Sequence, residues 1–151
     1  MFHKAIKLKF TDGTSFEVTF LTGEVKSYDI SVLFPKYPQL KLLKDRKLFT
    51  SGKLRPYGII WNDELDLETE TVYEDGVTVG YETIPENIEI GNAVLKARAV
   101  AGISQSELSD ITGIDQSDIS KIERGLANPS IHTLKRIAVA LNMQLQIAFK
   151  K

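Results

Sequence analysis

Two periodicities divide the chain. Between residues 5 and 28 apolar side chains recur at every second position: Ile6, Leu8 and Phe10 with Lys7 and Lys9 between them, then Phe16, Val18 and Phe20 with Glu17 and Thr19 between. Successive residues of a strand point to opposite faces, so this alternation predicts half-buried β-strands. Asp12-Gly13 at the junction predicts that the first two runs form a hairpin. Thr22-Gly23 then turns the chain into a third short strand, residues 24–28. The apolar face of such a meander must be covered. Residues 30–48 are expected to supply the cover: Ile30, Leu33, Phe34, Leu40, Leu42, Leu43 and Leu48 follow no period of two, and Pro35 and Pro38 restrict the segment to short helical turns. Residues 49–54 and 58–61 predict a further strand pair around Arg55-Pro56-Tyr57.

Residues 62–89 are acidic and contain Gly76, Gly80 and Pro85, which reads mainly as a connection carrying one short strand at Val77, Val79 and Tyr81. Beyond Pro85 the period becomes helical, with Ala93, Val94, Ala97 and Ala101 expected on one buried face. The shift of composition and period places a domain boundary near residues 83–87, dividing the chain into 1–83 and 84–151. Ser104 followed by Glu107 reads as a capping box, opening a helix that buries Leu108 and Ile111 and stops at Gly113. Asp115 is positioned to cap a second helix that buries Ile119 and Ile122 and ends at Gly125. Asn128-Pro129-Ser130 opens another helix, with Leu134, Ile137, Ala138 and Leu141 inward. Two short helices joined by a tight Gly turn are a helix-turn-helix. After Leu141 the period returns to two at Leu145, Ile147 and Phe149, which predicts a C-terminal strand that pairs across a two-fold axis or docks on the N-terminal sheet.

The net charge of −1 over 151 residues conceals three blocks. Residues 1–62 carry eleven bases against five acids, residues 63–89 ten acids and no base, and residues 90–151 eight bases against five acids. Such asymmetry assigns separate work to separate segments, and the acidic block is expected to restrain the affinity of the basic block that follows it for phosphate. With no cysteine there is no disulfide framework and no thiolate metal site or nucleophile. No apolar run approaches the roughly 20 residues that span a bilayer, and lysines interrupt the first ten residues, so a cytoplasmic protein with no membrane partner is expected.

The outward side chains of the second short helix carry the functional signal. Gln116, Ser117, Ser120 and Lys121 lie opposite Ile119 and Ile122, close to a helix N-terminus. Gln reads adenine through two hydrogen bonds, Lys reaches guanine acceptors, and Ser serves a base or a phosphate. Gln105, at the start of the preceding helix, is placed to meet a phosphate. Residues 90–141 closely resemble the lambda-repressor-like (Xre/Cro) helix-turn-helix family, through Arg98, Gly102, Ser104-Gln105, Glu107-Leu108, Gly113-Ile114, residues 119–125 (ISKIERG), Asn128-Pro129-Ser130, Thr133-Leu134, Ile137-Ala138 and Ala140-Leu141. The resemblance implies an all-α domain whose third helix enters the major groove of double-stranded DNA. It implies base contacts from Gln116, Ser117, Ser120 and Lys121, phosphate contacts from Gln105, Arg124, Asn128 and Ser130, and a structural ion pair between Arg98 and Glu123. Ser109 departs from the family's usual Ala. Because the block is only modestly basic, two copies are expected on DNA, as a homodimer.

Residues 5–75 resemble a family of small bacterial domains of unknown function, numbered 2442. The resemblance rests on the strand–Asp12-Gly13–strand unit, Gly23-Glu24, Tyr28-Asp29-Ile30, Phe49, Ile60-Trp61-Asn62, Asp66-Leu67 and Val72-Tyr73. The expected fold is therefore α+β: a small antiparallel-sheet domain followed by the helical one. No phosphate loop, dinucleotide fingerprint or nucleophile motif is present, so neither an enzyme nor a cofactor is expected. The acidic run from Asp63 to Glu70 lacks the glycine and bidentate Glu of a calcium loop, and no metal is expected there. Trp61 is expected to cap the core and His132 to be exposed. The reading is a sequence-specific transcriptional regulator. The alternative is an antitoxin that binds a protein partner, a toxin, through its N-terminal domain and represses its own promoter.

Overall fold

The computed structural model describes residues 2–151, which divide into two compact units at Ile84–Pro85. In the first unit, β1 (Ala5–Phe10), β2 (Ser15–Phe20) and β3 (Glu24–Asp29) form the expected meander, and β7 (Val77–Tyr81) adds to β3, giving an antiparallel sheet of order β1-β2-β3-β7. The register sets Leu8 opposite Val18 and Phe10 opposite Phe16, and Phe16 in turn opposite Tyr28, so the apolar positions of three strands share one face. Gly13 closes the hairpin at a positive φ of 62° that an L side chain adopts reluctantly.

Two 3-10 turns, Ile30–Leu33 and Pro38–Lys44, and the single turn α1 (Arg46–Phe49) cover that face. They deliver Ile30, Leu40, Leu43 and Phe49 to a core that includes Phe16, Val18 and Phe20. A second antiparallel sheet follows: β4 (Lys53–Arg55), β5 (Gly58–Ile60) and β6 (Asp66–Glu68). The strand expected from Phe49 begins only at Lys53, because Phe49 ends α1 with its ring stacked 6.2 Å from Trp61. Trp61 lies over this core and donates its indole N–H to the Phe49 carbonyl at 2.7 Å.

The acidic stretch is structural rather than a connection. Leu65 and Leu67 alternate with Asp66 and Glu68 and point into the core, and α2 (Thr69–Asp75) buries Thr69 and Val72 there. Glu70 accepts from both the backbone amide and the ring of His3, at 2.8 and 2.9 Å.

The second unit holds α3 (Glu86–Ala101), α4 (Gln105–Thr112), α5 (Gln116–Glu123) and α6 (Ile131–Ala140) around Val94, Leu108, Ile119, Ile122, Ile137 and Leu141. The inner face of α3 is Gly91 and Val94, whereas Ala93 and Ala101 are exposed, a correction to the expected face. Ile111 is exposed too, because α4 is barely two turns long and its inward stripe ends at Leu108. The helix expected at Pro129 starts at Ile131, with Ser130 as its cap. The C-terminal strand is not formed: residues 143–151 hold no ladder, and a strand exists only by pairing. Among the described residues no helix is long and apolar enough to cross a membrane.

Candidate nucleic-acid interface

The reading surface is built on caps and turns. Ser104 accepts the amide of Glu107 at 3.0 Å, starting α4, and Gly113 ends it in the left-handed region at φ 75°. Ser109, the departure from the family pattern, donates its hydroxyl to the Ile114 carbonyl at 2.6 Å and so ties the end of α4 to the start of α5. An alanine has no such donor. Arg136 of α6 donates to the Thr112 carbonyl in the same turn. The turn is thereby held from both flanks.

Helix α5 then presents two faces. Ile119 and Ile122 are buried, and Gln116, Ser117 and Lys121 are exposed, with Ser120 partly so. Positions 116, 117, 120 and 121 fall on one side of a helix by its 3.6-residue period, so the four residues expected at base edges share one face. Asp115 stands at the N-cap but makes no side-chain cap bond, contrary to expectation. The amides that open α5 are therefore left without that acceptor, and the carboxylate is not consumed. Asp115 and Asp118 line a cleft with Asn128, Ser130 and Arg136.

Behind α5 lies a charged lock. Arg98 Nε donates to Glu123 Oε1 at 2.6 Å and Nη2 to Oε2 at 3.1 Å, while Nη1 donates to the Ile103 carbonyl at 2.9 Å. The hydrogen bonds with Glu123 push the Arg98 guanidinium above its ordinary pKa, against the opposing effect of burial. The Glu123 side chain is 3% exposed. A bidentate pair of this kind fixes orientation as well as distance, so the C-terminal end of α5 is held to α3. Gln105 donates to Glu123 Oε2 at 2.8 Å, a partnership that sequence reasoning missed. One of its amide hydrogens is thus committed inward, while the backbone amide at the start of α4 has no such partner.

The remaining residues expected at phosphates lie around the same helix. Arg124 is exposed just after α5, its Nε 3.3 Å from the Ser120 carbonyl. Asn128 is exposed. Ser130 accepts the amide of Thr133 at 3.1 Å, so its hydroxyl serves the α6 cap. Gly91 is a second residue the sequence reading passed over: a Cβ there would lie 2.2 Å from the Ile122 carbonyl oxygen. It lets α3 approach α5 backbone to backbone.

This geometry agrees with what the chain is similar to. Residues 94–147 match the family model described as helix-turn-helix. An uncharacterised HTH-type transcriptional regulator of Haemophilus influenzae is 28% identical over 98 residues, 64% of this chain and 91% of the relative. Another, of Sinorhizobium fredii, is 44% identical over 55 residues, 36% of this chain but only 28% of the relative. Among solved structures, the restriction-modification controller protein C.AhdI of Aeromonas hydrophila aligns with a TM-score of 0.38 at 29% identity, covering 39% of this chain and 89% of that one. The family match lies wholly within the second unit.

Proposed function

We propose that the protein is a transcriptional regulator that reads double-stranded DNA in sequence-specific fashion, laying α5 in the major groove, and that it does so as a homodimer. The observation that carries the reading is the composition of the exposed face of α5. A merely solvated helix favours Glu–Lys pairs, whereas Gln116, Ser117, Ser120 and Lys121 form a run of short hydrogen-bonding groups and one cation, on a helix whose other face is clamped by Arg98 and Glu123. Gln116 and Lys121 would meet base edges, with Ser117 and Ser120 beside them. Arg124, Asn128 and the opening turns of α4 and α6 at Gln105 and Ser130 would meet phosphates on either side.

Electrostatics argues for two copies. The helical unit carries eight bases against seven acids once Glu86 and Glu89 are included, so one copy releases few counterions. Two copies reading half-sites about 34–36 Å apart would add their contacts on one face of the duplex. The test is selection of bound duplexes from a random pool, followed by fluorescence anisotropy. Lys121→Ala should weaken the selected site by about 1–3 kcal/mol and relax preference at one base pair of each half-site. Absence of binding to any duplex at low salt would refute the reading.

The second reading, an antitoxin, would engage its protein partner through the first unit. A groove of about 530 Å³ there is floored by Leu33, Leu40 and Leu67 and lined by four carboxylates, Glu64, Asp66, Glu68 and Asp75, against one lysine, Lys36, a balance suited to a basic protein. A neighbouring gene product that binds the purified chain and is released when those carboxylates are reversed to lysine would favour it.

A further inference from the structure

The segment after α6 and the surface beside it are both incomplete. Met143 donates its amide to the Ala138 carbonyl, and beyond it the backbone of residues 144–151 makes no hydrogen bond among the described residues. Along this free stretch the sequence alternates, apolar Leu145, Ile147 and Phe149 with Gln144, Gln146 and Ala148. Leu145 is partly buried, Ile147 is 61% exposed and Phe149 fully exposed. A segment with the period of a strand and with unpaired amides and carbonyls is suited to pairing with a neighbour.

Alongside it runs a groove of about 960 Å³ between α3 and α6, whose floor includes Ile90, Ala93, Ala97, Leu134 and Ala138. This is why Ala93 follows the helical period without being buried: it faces the groove, which Val94 and Ala97 also line from the edge of the helical core. Glu86 and Glu89 stand on the rim, and no Lys or Arg lines the groove. The tail carries Lys150 and Lys151. Asn128, proposed at a phosphate, stands at the groove's edge, but no residue of α4 or α5 lines it, so a partner seated there leaves the face of Gln116 and Lys121 clear.

We infer that the tail and groove form the interface with a second copy of this chain, the two tails pairing antiparallel across a two-fold axis at Ile147. This rests on the homodimer proposed above and gives that dimer its surface. The pattern selects the register. Antiparallel pairing sets like faces together only when the axis passes through a residue. Leu145, Ile147 and Phe149 are symmetric about Ile147, so Leu145 meets the other copy's Phe149, Ile147 meets itself and Gln146 meets Ala148. Lys150 then faces Gln144, whereas parallel in-register pairing would stack Lys150 on Lys150 at a cost. The doubled ribbon lays three apolar side chains from each copy over the two grooves, and the lysines pass toward acidic rims. Such a contact is isologous and closes at two copies.

A chain without cysteine gives a direct test. Residues opposite one another on antiparallel strands have Cα atoms about 4.5–5.5 Å apart, within the roughly 7 Å limit for a disulfide. Ile147→Cys in the full-length chain should therefore cross-link to a dimer in near-complete yield on mild oxidation, and an equimolar mixture of Leu145→Cys and Phe149→Cys should give the mixed species. Leu145→Cys alone should form no covalent dimer, since its counterpart lies four residues away, about 14 Å. Ile147→Asp should raise the dimer dissociation constant at least tenfold in sedimentation equilibrium while leaving the circular dichroism spectrum unchanged, because Ile147 packs little in the single chain. A failure of Ile147→Cys to cross-link, cross-linking of Leu145→Cys with itself, or a dimer indifferent to Ile147→Asp would each overturn the interface. The DNA reading is tested apart from it: a chain that cross-links through position 147 and binds no duplex keeps this surface and loses that function.

Discussion

Alanine in place of Gly91 sets two effects against each other. Position 91 is inside α3, where Gly→Ala gains about 1 kcal/mol of helix propensity. The added Cβ, however, would lie 2.2 Å from the Ile122 carbonyl oxygen and 3.0 Å from that of Glu123. Carbon–oxygen contacts are comfortable at about 3.3–3.6 Å, so α3 and α5 must separate by about 1 Å. Both obstacles are main-chain atoms and cannot rotate aside. Relief requires moving α5 as a body, which loosens Val94 from Ile119 and Ile122 and stretches the Arg98–Glu123 pair. Overpacking of this severity costs about 3 kcal/mol, the upper part of the usual range, which leaves a net loss of about 2 kcal/mol. For a unit of this size that is a fall in Tm of about 10 °C, to be read by calorimetry of the full chain as a shift confined to one of two transitions. Ala99→Gly is the control: exposed on the same helix and outside the groove, it should lose only the propensity term of about 1 kcal/mol. A Gly91→Ala protein that melts at or above the parent temperature would refute the backbone-to-backbone contact.

Arg98→Ala should destabilise the helical unit by about 3 kcal/mol, toward the low end for breaking a buried pair, because Gln105 still donates to the Glu123 carboxylate; denaturant unfolding of Arg98→Ala and Gln105→Ala, singly and together, measures the coupling. Thr69→Val should stabilise the first unit by about 1 kcal/mol, since the buried Thr69 hydroxyl has no hydrogen-bond partner among the described residues; a lowered denaturant midpoint would show that the hydroxyl is satisfied. Glu70 gives a pH signature. The backbone amide of His3 above all, with a smaller contribution from its side chain, holds the Glu70 carboxyl below its usual range against the opposing effect of burial. Its contribution is then present above the ordinary carboxylate value of about 4.3 and lost as pH falls through the lower folded value. Glu70→Gln should flatten the acid side of the stability profile, measured by urea unfolding at a series of pH values, and an unchanged slope would count against the pairing.

What the sequence disclosed depended on whether a residue's role is set by its near neighbours. The three-stranded meander was legible because alternation from Ile6 to Phe20 specifies a face and Asp12-Gly13 specifies the turn. The helix end at Gly113 and the cap at Ser104 were legible for the same reason: a cap bonds within three residues. The acidic block misled because charge was weighed ahead of period. Leu65-Asp66-Leu67-Glu68 alternates as clearly as Lys7-Leu8-Lys9-Phe10, and its apolar half is buried as a strand interior should be. Non-local partnerships stayed hidden. Nothing near Gln105 announces Glu123, and nothing near Gly91 announces the Ile122 carbonyl, because both depend on how helices meet.

Helix α3 connects these strands of reasoning. One side of it, Gly91, Val94 and Arg98, fixes the position and tilt of α5 through a backbone contact, an apolar contact and a charged one. Its other side, Ile90, Ala93 and Ala97, forms the floor of the groove assigned to the second copy. In the proposed dimer this one helix would bear both on the aim of each α5 and on the surface that meets the second copy. Substitutions on the two sides should then separate cleanly. Those toward α5 should change affinity for one half-site and for two in the same ratio, because they disturb aim. Those toward the groove should leave a single half-site untouched and lower affinity only for the paired operator, because they remove the gain of binding both halves at once. Anisotropy titrations of Gly91→Ala and Ala93→Glu against single and paired sites distinguish these cases, and a variant on the groove side that weakened a lone half-site would break the assignment of α3 to two tasks.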